Sequence, residues 1–125
     1  MCQSDNFMTG KFAVISLTDP TDHARMFHAF LYLFDLKDNG FHSELFLDGA
    51  AVKIIEEMEK NPSDIIRPLY DRAVREGLIK EACGFCANAF GVKEKMMKTE
   101  ISLSQEGQHI SISRLIKDDY HVIII

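Results

Sequence analysis

The chain has 125 residues, with 14 basic and 19 acidic side chains and a formal net charge of −5. At 46% hydrophobic and 26% charged residues it has the composition of one soluble globular domain, large enough to build a core without disulfide staples. It carries no basic run or stripe, which argues against nucleic acid and anionic membrane surfaces as partners, and its apolar stretches are far shorter than a membrane span.

The first ten residues are polar and mixed, and read as a flexible tail with no signal peptide; residues 11–125 read as the single domain. Lys11 to Leu17 is almost continuously apolar, the mark of a strand buried on both faces. Asp19-Pro20 suits a helix start with proline in the first turn, although Thr21 would cap a slightly later one. The helix is expected to run to about Lys37, with Met26, Phe27, Phe30, Leu33 and Phe34 on a broad apolar stripe, and to stop at Asn39-Gly40. Phe41 to Leu47 is the second strand. Asp48 can cap a helix carrying Val52, Ile55 and Met58, ended by Asn61-Pro62. Pro68 opens a third helix to about Glu76, with Gly77 after its last turn. Leu78 to Ala82 is the third strand; a short helix follows, with Gly91 as a stop or kink and one more turn through Met97. Glu100 to Ser104 is a weak strand. Ile110 to Ser113 alternates like a strand, but Ile112, Leu115 and Ile116 share a helix face, and a parallel sheet needs a crossover there. A helix over 108–118 is therefore expected before the last strand, Tyr120 to Ile125. The order β-α-β-α-α-β-α-β-α-β specifies a three-layer α/β/α fold with a mostly parallel five-stranded sheet.

Parallel strands present their carboxyl ends on one edge, where ligands and chemistry collect. That edge gathers Thr18 and Asp19 from the first connection, Asp48 and Gly49 from the second, and Cys83 and Cys86 from the third. His23, placed one turn into the first helix, would lean over the same edge. These form the expected substrate-binding set around two cysteines. A thiol at the end of a strand and the start of a helix meets unpaired N–H groups, which stabilise the thiolate. The plainer reading of Cys83 is a small buried hydrophobe, and Cys86 is either a second reactive thiol or a packing residue beside Phe90. Asp19 and Asp48 are helix caps in the first place, and His23 and His28 surface or packing residues. Three cysteines, one of them Cys2 in the tail, make no disulfide framework and fit a reducing cytoplasm. Cys83-x-x-Cys86 offers two of the four ligands of a closed zinc site, and the sequence has no second cysteine or histidine pair, so no metal is expected. No glycine-rich phosphate loop follows the first strand, and no cofactor is expected.

The opening KFAVISLTDPTDHARMFHAFLYLFDLKDNGFHSELFLDGAAV, the block EACGFCANAFGV and the ending YHVIII together resemble the DsrE/DsrF-like proteins over residues 11–125. The most specific element is a cysteine after the third strand followed eight residues on by Gly-Val, here Cys83 and Gly91-Val92. The resemblance implies a DsrEFH-like fold and a sulfurtransferase-like sulfur carrier: Cys83 would accept sulfane sulfur as a persulfide from a donor protein and pass it to an acceptor protein. It also implies trimers or hexamers with the cysteine near a subunit interface. The chain departs from the family's relay subunits in having Cys86, and in having Phe90 where an arginine often precedes the glycine. Cys86 gives weight to a second expectation, a dithiol redox protein cycling Cys83 and Cys86 through a disulfide. A third is a non-catalytic oligomeric binding subunit with inert cysteines. The first helix, apolar around much of its circumference, gives oligomerisation a motive of its own.

Overall fold

The computed structural model describes residues 10–105 and 108–125, so Cys2 and nearly all of the expected tail lie outside the described residues. In chain order the elements are β1 (Lys11–Ser16), α1 (His23–Asp38), β2 (His42–Leu47), a 3₁₀ turn (Gly49–Lys53), α2 (Ile54–Lys60), α3 (Arg67–Arg75), β3 (Ile79–Ala82), α4 (Gly84–Ala89), α5 (Lys93–Met97), β4 (Ser102–Leu103), α6 (Ile112–Lys117) and β5 (Tyr120–Ile124). The strands form one sheet in the order β4-β3-β2-β1-β5. Every pairing is parallel, so the sheet is wholly rather than mostly so. The architecture is a three-layer α/β/α fold. None of the described helices is long and apolar enough to cross a membrane.

Of the interior strands, β1 and β2 are the most apolar and the most buried. Ala13, Val14 and Ile15 of β1 and Leu45, Phe46 and Leu47 of β2 are at most 1% exposed, as strands covered on both faces must be. α1 buries Met26, Ala29, Phe30, Leu33 and Phe34, the i, i+3, i+4, i+7, i+8 spacing of an amphipathic helix facing a core. Each such large side chain contributes about 1.5–3 kcal/mol on burial. Leu31 and Tyr32 on the far side stay 39% and 47% exposed.

The two faces of the sheet are covered unequally. α1 lies over the face that carries Val14 and Ser16, where the Ser16 hydroxyl sits 4.0 Å from the Met26 sulfur. Side chains alternate along a strand, so Ile15 and its register partners Phe46 and Ile124 point the other way. On that second face Arg114 of α6 reaches Glu81 at 2.5 Å, Leu115 is buried, and Tyr120 packs edge-on against Phe46. The Tyr120 hydroxyl donates to the Glu44 carboxylate; burial and then this bond push the tyrosine well above its ordinary pKa.

Two local expectations need correction. α1 begins at His23 and not at Pro20: the Asp22 carboxylate accepts the Arg25 N–H at 3.3 Å and is the cap. Asp19 instead closes the turn before it, accepting from the Thr21 N–H at 3.0 Å and the Thr21 hydroxyl at 2.8 Å. The crossover helix is shorter than 108–118, because Ser111 caps it through the Arg114 N–H at 3.2 Å. Residues 108–110 are thereby left outside the helix, with consequences for the site.

Candidate functional site

β2, β3 and β4 each deliver one residue to the carboxyl edge of the sheet. Asp48 follows β2 in extended conformation, and its carboxylate accepts the Gly49 N–H at 2.8 Å. Cys83 follows β3, its N–H still bonded to the Leu47 carbonyl at 2.8 Å. Its sulfur is the side-chain cap of α4, accepting the Cys86 N–H at 3.3 Å. Ser104 follows β4 with its N–H on the Ala82 carbonyl at 2.9 Å. Its hydroxyl accepts the Gly84 N–H at 2.7 Å and donates to the Gln108 carbonyl at 2.8 Å. That link ties the segment after β4 to the start of α4.

The same segment places His109 over the cysteines. Its Nδ1 lies 3.4 Å from Cys83 Sγ, and its ring packs against Phe85 with centroids 4.6 Å apart. Cys86 Sγ faces Asp48 Oδ1 at 3.8 Å. The ligand atoms of Asp48, Cys83, Cys86 and His109 all lie within 4.8 Å of one another. Cys83 is fully buried, Asp48 and Cys86 half-buried, and His109 exposed. Both cysteines are free thiols.

The electrostatics correct one expectation. Burial pushes the Cys83 thiol up to about 11; the Cys86 N–H pulls the other way, while the Cys86 thiol and the Asp48 charge add to the rise. Desolvation of the anion thus outweighs the helix N–H groups. Burial therefore favours the thiol form of Cys83 over the thiolate.

Among the other expected site residues, the fold brings Gly49 to the cluster as the donor to Asp48. Thr18 lies at the edge, but its hydroxyl is engaged with the Ile125 carbonyl at 3.2 Å. Asp19 pairs with Lys53 at 2.5 Å. This bond and those from Thr21 hold its carboxyl down at about 2. The Lys53 ammonium also lies 5.2 Å from the ring centroid of Phe90, the residue that ends α4. His23 does not join it; its Nε2 contacts Asp64 at 3.1 Å.

His109 and Ser104 were missed by sequence reasoning. The signal lay in the edge rule itself, since the connection after the fourth strand opens on the same edge as the other three. Likewise the expectation of no metal rested on the lack of a second pair in the sequence, and the fold supplies two further donors from separate connections, Asp48 and His109.

No family model matches the chain, and no curated protein does. Among solved structures it is similar to a conserved protein of unknown function from Bacteroides thetaiotaomicron, with a TM-score of 0.61 and 21% sequence identity over 92% of this chain and 95% of that one. At that identity the likeness establishes a shared fold.

Proposed function

We propose that the protein is a sulfur carrier in which Cys83 accepts sulfane sulfur as a persulfide and hands it to an acceptor thiol. The observation that carries this reading is the Cys83–His109 pair, with Sγ and Nδ1 3.4 Å apart at the carboxyl edge of the sheet. A buried thiol with a raised pKa needs a local base, and a neutral imidazole with Nδ1 free to accept is one. As the proton moves to His109, the Cys83 sulfur attacks the outer sulfur of a donor persulfide, R–S–S–H. The donor S–S bond breaks, a new one forms to Cys83, and R–S⁻ recovers a proton from the imidazolium. The sum is Cys83–SH plus R–SSH giving Cys83–SSH plus R–SH, with no net redox change. Phe85 and His109 form a lip over the sulfur that the donor must displace. The resemblance to the DsrE/DsrF-like family points the same way, as does the pair of free thiols for a reducing, cytoplasmic setting.

Cys86 supports a second reading. With its sulfur within 4.8 Å of Cys83 Sγ, a Cys86 thiolate can attack the inner sulfur of the Cys83 persulfide. That step expels HS⁻ and leaves a Cys83–Cys86 disulfide, which an external dithiol would reduce. Assembly into a homo-oligomer, a trimer or hexamer, is part of the proposal. Leu17, Leu31, Tyr32 and Ile124 are each at least 39% exposed, and the last two line one hollow with His28. Light scattering measures the subunit count directly.

Intact-protein mass spectrometry after brief exposure to a low-molecular-weight persulfide tests the reading. One reducible extra sulfur on wild type and on Cys86→Ser, absent from Cys83→Ser and slow to form on His109→Ala, is the expected result. Loss of two hydrogens that needs both cysteines would favour dithiol chemistry, and no modification at all would leave a binding subunit with inert thiols.

A further inference from the structure

We propose that Asp48, Cys83, Cys86 and His109 form a tetrahedral site for a thiophilic divalent cation of the zinc class. Ligand geometry alone defines this site, independently of sulfur transfer. Zinc binds thiolate sulfur at about 2.3 Å and imidazole or carboxylate atoms at about 2.0–2.2 Å, so a tetrahedron around it has sulfur-to-nitrogen and sulfur-to-oxygen edges of about 3.5 Å. The Cys83–His109 edge is 3.4 Å and the Cys86–Asp48 edge 3.8 Å, and no edge exceeds 4.8 Å. The donor set is two sulfurs, one imidazole nitrogen and one carboxylate, a composition that zinc accepts and that hard cations such as Mg²⁺ do not.

The supporting shell is also in place. Ligands are oriented by the hydrogen bonds they make to other groups. Here the Cys86 N–H is aimed at Cys83 Sγ at 3.3 Å, and the Gly49 N–H at 2.8 Å orients Asp48 Oδ1, the oxygen that faces Cys86 Sγ. Asp48 and Cys83 sit on strand ends and Cys86 on the first turn of a helix, so three donors are fixed by the sheet. His109 comes from the connection before α6 and is exposed, and it provides the way in. Binding replaces two thiol protons, which leave to solvent, giving two thiolates and one carboxylate around the 2+ ion. Because the ion engages both sulfurs, the metal-bound and persulfide-bound forms exclude each other.

The test uses the full reduced chain, stripped with a chelator, titrated with Zn²⁺ by calorimetry and with Co²⁺ followed by absorption. The expected result is one ion per chain, with sulfur-to-cobalt charge transfer and the intense visible bands of a tetrahedral centre. His109→Ala changes an exposed side chain and should fold; it should weaken binding by at least about tenfold, since loss of even an outer-shell partner costs that much. Substoichiometric binding at micromolar metal, an octahedral cobalt spectrum, or unchanged affinity in both His109→Ala and Asp48→Asn would overturn the proposal. Persulfide loading is read on the metal-free chain, so either reading can fail without the other.

Discussion

Replacing Gly84 by alanine puts a methyl carbon 2.5 Å from the Ser104 carbonyl oxygen. Ordinary contact begins near 3.4 Å, so about 0.9 Å must be opened (3.4 − 2.5). The obstacle is backbone at the end of β4, held by the Ser104 N–H on Ala82, and it cannot rotate away as a side-chain tip would. Overpacking of this kind costs about 1–3 kcal/mol. Gly84 is the first residue of α4, where alanine returns only a fraction of the roughly 1 kcal/mol it gains in a helix interior, leaving a net loss of roughly 1–2 kcal/mol. For a chain of this size that lowers Tm by roughly 4–8 °C. Urea unfolding followed by circular dichroism gives the free energy directly. A ΔΔG within about 0.5 kcal/mol of zero, the range of an inconsequential surface change, would refute the close approach of α4 to β4. The strain should also reach the site, because Ser104 holds Gln108, the residue before His109.

Three further outcomes follow from the same physical picture. The Asp19–Lys53 pair stabilises the fold above the ordinary aspartate pKa, and that contribution is lost as pH falls toward the depressed value of about 2. Wild type should therefore lose stability relative to Asp19→Asn between about pH 4 and pH 2, by less than about 1 kcal/mol because the pair is over a third exposed; parallel urea titrations of the two chains measure it. In native protein, iodoacetamide should modify Cys86 well before Cys83, which is fully buried and carries a raised pKa, and the difference should vanish in urea; peptide mass mapping decides this. Phe30→Ala removes a fully buried ring and should cost about 3–5 kcal/mol, seen as a lower urea midpoint at unchanged slope.

The fold was legible because its signals are local and repeated. The run KFAVIS could only be a strand covered on both sides, and the stripe from Met26 to Phe34 fixed a helix packed on it. Gly77 and Gly91, at φ +68° and +72°, mark two helix ends that only a residue without a Cβ takes easily. The start of α1 was misplaced because Asp19, Thr21 and Asp22 all have capping chemistry, and the contest was settled by Lys53, a residue 34 positions away. At the site, Cys83, Cys86, Asp48 and Gly49 were readable from their places at strand ends. His109 was not, since a helix over 108–118 would have enclosed it. The raised pKa of Cys83 was not readable either, because desolvation is set by tertiary packing and the favourable helix terminus by local sequence.

The unequal roofing of the sheet has a consequence for how the molecule opens. α1 anchors its face with five buried side chains over 16 residues, whereas α6 holds the other with six residues, one buried leucine and the Arg114–Glu81 pair. Lifting α6 would hydrate Phe46, Tyr120 and the Glu81 oxygen that has no hydrogen-bond partner among the described residues, while the α1 layer stays closed. Opening of the second face should therefore cost only part of the global unfolding free energy. Native-state hydrogen exchange would register two tiers of protection, with α6 exchanging well ahead of β1, β2 and α1, and a protease would enter first through that thin side.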